Sequence, residues 1–205
     1  MSVVLNTVTY PVMESFYTIQ GEGMQVGRAA WFIRLGGCDV GCVWCDVKES
    51  WDAAAHPQFT AEQLVAEAAK QTARFVVITG GEPAMYNLEP LTSALKLAGF
   101  EIALETSGAY PLTGSFDWIC ISPKKFKAPL AASLAKADEL KVVIYNKSDF
   151  AWAEQHALAT AENCIRLLQP EYSRFNQMMP LIVDYVKLNP QWRISLQTHK
   201  IIGIP

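Results

Sequence analysis

The residues with the clearest chemical reach lie between Arg34 and Asp46, in the run Arg-Leu-Gly-Gly-Cys38-Asp-Val-Gly-Cys42-Val-Trp-Cys45-Asp46. Three cysteines fall within eight residues, separated first by three residues and then by two. Thiols this close in sequence do not readily bridge one another, but from one loop they can converge on an inorganic centre. Zinc would want a fourth Cys or His; the nearest histidine is His56, and the other cysteines, Cys120 and Cys164, are far along the chain. An iron–sulfur cubane held by three cysteines would instead leave one iron without a protein ligand, open to chemistry. Spacing alone leaves both readings standing.

These cysteines need a scaffold, and the chain supplies a repeating one. Ala30–Leu35 is a buried strand feeding the cysteine loop. Further apolar runs at Phe75–Thr79, Glu101–Leu104, Asp117–Ile121, Leu140–Tyr145, Ile165–Leu168 and Arg193–Leu196 alternate with helical segments. Thr60-Ala-Glu-Gln63 is a capping box that opens a helix to about Thr72. Other predicted helices span Leu88–Leu97, closed by Gly99, then Leu130–Ala137, Asp149–Leu158 with Asp149 as cap, and Asn176–Lys187 interrupted near Pro180. Met1–Tyr10 is β-rich and reads as a pairing strand or arm. The alternation implies an α/β fold with a mostly parallel sheet and helices outside. About seven strands in 205 residues are too few for the eight-fold barrel of ~250 residues.

Polar motifs follow these strands: Gly-Gly-Cys38, Gly80-Gly81-Glu82-Pro83, Glu105-Thr-Ser-Gly108, Ser122-Pro123-Lys124, Gln169-Pro170 and Gln197-Thr-His199-Lys200. In parallel α/β folds those strand ends lie on one face, where sites are built. A shared cleft is therefore expected. Glycine backbone, the Glu82 carboxylate, the Ser122 hydroxyl, the Lys124 cation and the Gln169 amide suit an amino acid joined to a ribose and an adenine. Arg34, inside the apolar run Trp-Phe-Ile-Arg-Leu, needs a polar partner. His199 reads either as a site residue or as a structural histidine near an element end. Cys120, Cys164, Trp118, Trp152 and Trp192 read as packing residues.

Composition narrows the class. The chain has 51% hydrophobic and 18% charged residues, a formal net charge of −3 and no basic run. That disfavours nucleic-acid binding as the main function. No apolar stretch reaches the ~18 residues of a membrane span. The N-terminus lacks a basic segment followed by an apolar one, so a secretory signal is not expected. Five cysteines, three of them clustered, do not form a disulfide framework; a reducing, cytoplasmic setting is the expectation. One domain spanning residues 1–205 is expected, without repeats or linkers.

The Cys-x3-Cys-x2-Cys loop with Trp44 before Cys45, followed by Gly-Gly-Glu-Pro, resembles the radical S-adenosylmethionine superfamily. Phe16-Tyr-Thr-Ile19-Gln20-Gly21-Glu22-Gly23, Phe32-Ile-Arg34-Leu, Thr79-Gly-Gly-Glu-Pro83 and the later motifs, in order along nearly the whole chain, resemble the 7-carboxy-7-deazaguanine synthase family. The resemblance implies an incomplete (β/α) barrel and a homodimer. It implies that Cys38, Cys42 and Cys45 hold a [4Fe–4S] cluster whose bare iron is chelated by S-adenosylmethionine. One electron, from a donor such as flavodoxin or ferredoxin, then yields a 5′-deoxyadenosyl radical. The implied reaction contracts the ring of 6-carboxy-5,6,7,8-tetrahydropterin with loss of ammonia, on the route to queuosine and related 7-deazaguanines.

Carried over by position, the resemblance assigns Trp44, Asp46, Gly81, Glu82, Ser122, Pro123, Lys124 and Gln169 to S-adenosylmethionine. It assigns Ile19, Gln20, Gly21, Glu22, Arg34, Thr79, His199 and the Pro205 carboxylate to the pterin. Glutamate and glutamine complement an aminopyrimidinone edge, and arginine suits a carboxylate. One departure stands out. The family motif continues Cys-Asp-Thr, with that threonine helping to bind magnesium, whereas this chain reads Cys45-Asp46-Val47. Valine offers no oxygen to an ion that demands oxygen ligands, so weak magnesium dependence is expected. Two other readings share the cysteine loop: a radical enzyme that activates a protein partner, which would not need Gln-Gly-Glu-Gly or the terminal Gln-Thr-His-Lys, and a non-enzymatic zinc or iron–sulfur module.

Overall fold

Strand-forming apolar runs assemble into one nine-stranded sheet in a computed structural model that describes residues 8–205. The order is β3-β1-β2-β4-β5-β6-β7-β8-β9. The strands are β1 (Thr9–Ile19), β2 (Ala29–Leu35), β3 (Gln58–Thr60), β4 (Phe75–Gly80), β5 (Glu101–Thr106), β6 (Trp118–Ile121), β7 (Glu139–Ile144), β8 (Ile165–Pro170) and β9 (Trp192–Ile194). From β2 to β9, leaving aside β3, neighbouring strands are all parallel. These are the seven expected apolar runs. β1 adds antiparallel to β2, and β3 antiparallel to β1. The two ends of the sheet, β3 and β9, do not pair, so the barrel stays incomplete. Of the expected strand or arm Met1–Tyr10, residues 1–7 lie outside the described part; the strand that forms, β1, runs on to Ile19 and overlaps the expectation only at Thr9 and Tyr10.

Helices α1 (Ala61–Ala68), α2 (Glu89–Leu97), α3 (Ala131–Leu134), α4 (Ser148–Ala157), α5 (Phe175–Leu188) and α6 (Thr198–Ile202) complete the chain. Side chains alternate along a strand, and here the alternation separates two environments. Outward residues of β2, β4 and β5, such as Ile33, Ile78 and Leu104, pack with Leu64 of α1 and Leu91 of α2. Leu140, Val142 and Ile144 of β7 pack with Ala153 of α4 and Ile182 of α5. Inward, Ala30, Phe32, Phe75, Val77 and Ala103 form a smaller apolar floor, with Phe16 and Phe32 stacked at 5.4 Å. Further along the same strands the inward positions turn polar: Arg34 after Phe32, Thr79 after Val77, Glu105 after Ala103. The apolar floor thus carries a polar site at the strands' C-terminal ends.

Local details depart from expectation in several places, among them α3, which ends at Leu134 and not at Ala137. The α1 capping box forms as expected, with Gln63 N–H donating to Thr60 Oγ1 (3.3 Å) and Thr60 N–H to Gln63 Oε1 (2.8 Å). The helix ends at Ala68, not Thr72, because Lys70 and Gln71 tighten onto the Glu67 and Ala68 carbonyls in i, i+3 fashion. Asp149 lies inside the first turn of α4; its Oδ2 accepts from Tyr145 N–H (2.7 Å) and Asn146 N–H (2.8 Å), capping the preceding turn. Pro180 does not interrupt α5, whose buried Met178 and Ile182 pin the helix on either side of it. β9 stops at Ile194 because Ser195 turns inward and donates to Gln169 Oε1 (2.7 Å).

Candidate functional site

Above the apolar floor, at the C-terminal ends of the parallel strands, lies a cavity of about 270 Å³. One wall is the loop after β2, with Cys38, Cys42 and Cys45 along the cavity. Two elements hold this loop. Gly37 N–H donates to the Ser50 carbonyl (2.6 Å) and Cys38 N–H to the Trp51 carbonyl (3.1 Å). Behind it, Glu82 N–H donates to the Gly37 carbonyl at 2.9 Å. Gly81 has to be glycine here, since a Cβ would strike the Gly37 carbonyl oxygen and stand 2.7 Å from Cys38 Cβ.

Burial pushes the Cys38 thiol up, and pushes Cys42 up to about 11 despite the nearby Lys124 ammonium. Three sulfur donors from one loop fit an iron–sulfur cluster, whose positive charge would favour the thiolate form. Among the described residues no three Cys, His, Asp or Glu side chains converge on one ion position; a cubane takes its ligands at separate corners and does not require that. Cys164 packs in the outer core, as expected; Cys120 is buried too, but on the inner side, where its Sγ donates to Glu139 Oε1 at 3.4 Å.

The wall next to the cysteines comes from β4, β5, β6 and β8. Thr79, Gly81, Glu82, Ser122, Lys124 and Gln169 all line the cavity. Glu82 is 1% exposed. Its Oε1 accepts from Ala84 N–H (3.0 Å) and the Thr106 hydroxyl, and its Oε2 from Ser107 N–H (2.9 Å) and the Ser107 hydroxyl. All four acceptor positions of the carboxylate are thus engaged within the protein. Lys124 Nζ lies 2.5 Å from Ser122 Oγ and 5.4 Å from the Trp44 ring centroid, and burial lowers its pKa. Pro123 is buried between these two residues and does not line the cavity.

The opposite wall is the turn after β1. Ile19, Gln20, Gly21 and Glu22 line the cavity together with Arg34. Arg34 has the partner its apolar strand demands, donating from Nε to Glu14 Oε1 at 2.6 Å. α6 closes over this turn: Thr198 N–H and Oγ1 both donate to the Gly21 carbonyl, at 2.8 and 2.9 Å. A Cβ at Gly21 would stand 2.7 Å from His199 Cβ, so glycine lets α6 dock. His199 and Pro205 reach the cavity, and the Thr18 hydroxyl donates to the Pro205 carbonyl oxygen at 3.2 Å. Burial lowers the His199 pKa, which favours the neutral ring.

Asp46 and Val47 also border the cavity. The Asp46 carboxylate accepts from Lys200 Nζ at 3.1 Å, and the Lys200 ammonium sits 4.5 Å over the Tyr172 ring. With Val47 supplying no oxygen and Asp46 already paired, the residues here fit a magnesium ion poorly.

Expected site residues except Pro123 therefore share one cavity. Sequence reasoning passed over Lys141 and Ser195, and placed Glu105, Gln197 and Lys200 only within strand-end motifs, without a role of their own. Lys141 is 3% exposed on the inward face of β7, with Nζ 2.6 Å from Glu22 Oε2 and 3.5 Å from Glu105 Oε2. Its signal was present: a lysine inside Leu140-Lys-Val-Val-Ile needs a partner for the same reason as Arg34. Burial raises the Glu22 carboxyl, but the Lys141 ammonium and hydrogen bonds from Lys141, Gln197 and Gln169 outweigh it and hold the pKa at about 2.

Comparison with known proteins agrees with this geometry. A family model described as the Radical SAM superfamily matches residues 32–121, from the cysteine strand through β6. The chain is 55% identical over 195 residues to the 7-carboxy-7-deazaguanine synthase of Flavobacterium psychrophilum, covering 95% of this chain and 92% of that one. It is 50% identical over 200 residues to the protein of the same name from Synechocystis, covering 98% and 96%. Among solved structures, the crystal structure of QueE from Escherichia coli superposes with a TM-score of 0.82 at 33% identity, covering 92% of this chain and 93% of that one. The superfamily carries with it a [4Fe–4S] cluster and S-adenosylmethionine, which displaces the zinc reading of the cysteine loop. The chain belongs to the 7-carboxy-7-deazaguanine synthase family of radical S-adenosylmethionine enzymes.

Proposed function

We propose that this chain converts 6-carboxy-5,6,7,8-tetrahydropterin to 7-carboxy-7-deazaguanine, contracting the ring with loss of ammonia in queuosine and 7-deazapurine biosynthesis. One observation carries the reading: a single cavity has a three-cysteine wall facing a wall of paired carboxylate and amide groups built from Gln20, Glu22, Glu105 and Lys141. When bound, the cluster and S-adenosylmethionine supply the 5′-deoxyadenosyl radical.

The chain's own residues do the positioning. Cys38, Cys42 and Cys45 hold the cluster. Gly81 backbone, Ser122, Lys124 and Gln169, with Trp44 and Asp46 at the loop, bind S-adenosylmethionine, and buried Pro123 keeps the Ser122–Lys124 turn in place. Glu82 receives the ammonium group once the Thr106 or Ser107 hydroxyl turns away. Ile19, Gln20, Gly21, Glu22 and Thr79 take the aminopyrimidinone, and Arg34 faces its polar groups. His199 and the Pro205 carboxylate close over it, excluding water from the radical.

Magnesium is not needed as a fixed ligand in this reading. The Lys200 ammonium paired to Asp46 supplies positive charge where Val47 supplies no oxygen. A small redox protein such as flavodoxin or ferredoxin delivers the electron, and the chain acts as a homodimer in the cytoplasm. The exposed tip of the cysteine loop at Val43, 67% accessible, leaves an approach for such a donor. No helix among the described residues is long and apolar enough to cross a membrane.

The test is anaerobic reconstitution with iron and sulfide, followed by incubation with the pterin, S-adenosylmethionine and a reductant, read by mass spectrometry. The expected result is 7-carboxy-7-deazaguanine with release of ammonia. Formation of 5′-deoxyadenosine with the pterin unchanged would overturn the assignment.

A further inference from the structure

We infer that Lys141 is a positioning residue that sets specificity for the aminopyrimidinone edge, by tying Glu22 and Glu105 together as a pair of hydrogen-bond acceptors; this rests on the pterin reading above. The contacts form a closed ring. Lys141 Nζ reaches Glu22 Oε2 at 2.6 Å and Glu105 Oε2 at 3.5 Å. Gln20 Nε2 donates to Glu105 Oε1 at 2.7 Å, and Glu22 N–H returns to Gln20 Oε1 at 3.0 Å. Gln197 Nε2 fixes the other oxygen of Glu22 at 2.7 Å. Four residues from the turn after β1, β5 and β7 thereby hold one another, and the Glu22 carboxylate is fixed at the cavity wall.

Charge explains why a cation belongs there. The groups facing Lys141 and Glu22 are Glu105 on β5, Cys120 on β6, Glu139 on β7, Lys124 after β6, and His199 on α6. Glu139 is buried and has its own partners: it accepts from Met24 N–H (3.0 Å), Trp118 Nε1 (3.2 Å) and Cys120 Sγ (3.4 Å). Without Lys141, Glu22 and Glu105 would be like charges in one partly buried cradle, and such carboxyls share a proton. A protonated carboxyl presents an O–H donor. The aminopyrimidinone edge presents two adjacent N–H donors, and donor facing donor loses the contact. With Lys141 in place, Glu22 stays ionised and offers a paired acceptor. Its folded-state pKa is depressed to about 2, so its acceptor character is complete above the ordinary carboxyl range and is lost only as pH falls towards that value. Lys141 is raised well above its ordinary value, so its charge persists throughout neutral pH.

The experiment measures binding of 6-carboxypterin, and of 6-carboxylumazine, which replaces the amino group by a carbonyl. Reconstituted holoenzyme with S-adenosylmethionine is titrated by calorimetry from about pH 8 to about pH 5.5, without reductant. For the parent, pterin affinity is expected to stay flat across this range, with the lumazine rejected at least about a hundredfold. In Lys141→Met, pterin affinity is expected to fall with pH, by up to about tenfold per unit below the raised carboxyl pKa. The pterin-over-lumazine ratio shrinks, and KM rises more than kcat falls. Lys141→Arg, which keeps the charge, restores the flat profile.

Iron content and S-adenosylmethionine affinity report whether each variant folds. If Lys141→Met does not fold, the parent decides alone: acid-side loss of pterin affinity, or failure to reject the lumazine, overturns the inference. A Lys141→Met profile parallel to the parent overturns the inference and leaves the pterin reading intact. A parent that neither binds nor turns over the pterin removes both.

Discussion

The two faces of the same strands obey different rules. On the outer face of β7, Leu140, Val142 and Ile144 are fully buried against α4 and α5, each held by many weak contacts. On the inner face of the same strand, Glu139 and Lys141 are equally buried but depend on a few named partners across the barrel. Apolar packing is redundant, so an outer residue is replaceable at a cost in stability alone. A buried charge is not redundant, because removing one member of a pair leaves the other uncompensated, at about 3–5 kcal/mol. The inner face therefore carries the chemistry, and the outer face carries the fold.

Substitutions that separate the two faces sharpen this contrast. The largest effect belongs to the cavity's cysteine wall: Cys38→Ala, Cys42→Ala or Cys45→Ala should remove iron and abolish 5′-deoxyadenosine formation, measured by iron content and chromatography. Cys120→Ser and Cys164→Ser should retain iron and turnover. A dead Cys164→Ser enzyme with full iron content would contradict the division of roles among the cysteines.

Next comes the closing segment. Extending the chain beyond Pro205 should raise the pterin KM at least about tenfold, the scale of a lost charged hydrogen bond. An extension at Met1 should leave it nearly unchanged, and equal kinetics for the two forms would show that the Pro205 carboxylate does not touch substrate. On the outer face, Leu140→Ala should cost about 2–5 kcal/mol in a urea melt, with the pterin KM unmoved. A large KM change there would mean that the faces are coupled.

The smallest effect is at Val47. The parent should turn over in chelator, and Val47→Thr should increase the response to added magnesium, read in a titration of both proteins. A parent inactive in chelator and restored manyfold by low magnesium would place the ion's ligands elsewhere.

The outer face was the legible one. The seven parallel strands stand out as apolar runs because a strand covered on its outer side by helices and on its inner side by an apolar floor reads as nearly continuous hydrophobicity. The motifs at their ends could be read as site residues because turns at the C-terminal ends of parallel strands share a face. The same continuity hid Lys141, whose single polar letter interrupts a run that otherwise looks like core. The antiparallel pairing of β1 and β3 was obscure for another reason: β1 alternates buried and exposed residues irregularly, with a register shift between Val12 and Glu14. Partners distant in sequence, such as Ser195 with Gln169 or Gln197 with Glu22, follow from the fold and leave no local pattern.

The central claim, that one inner-face cavity holds both S-adenosylmethionine and the pterin, is tested most directly by a crystal structure of the reconstituted protein with both bound. The account predicts the adenosyl ligand against Gly81, Ser122 and Gln169, and the aminopyrimidinone against Gln20 and Glu22 with Lys141 behind them. A pterin seated outside that cavity, or turned with its carboxylate towards Glu22, would contradict it.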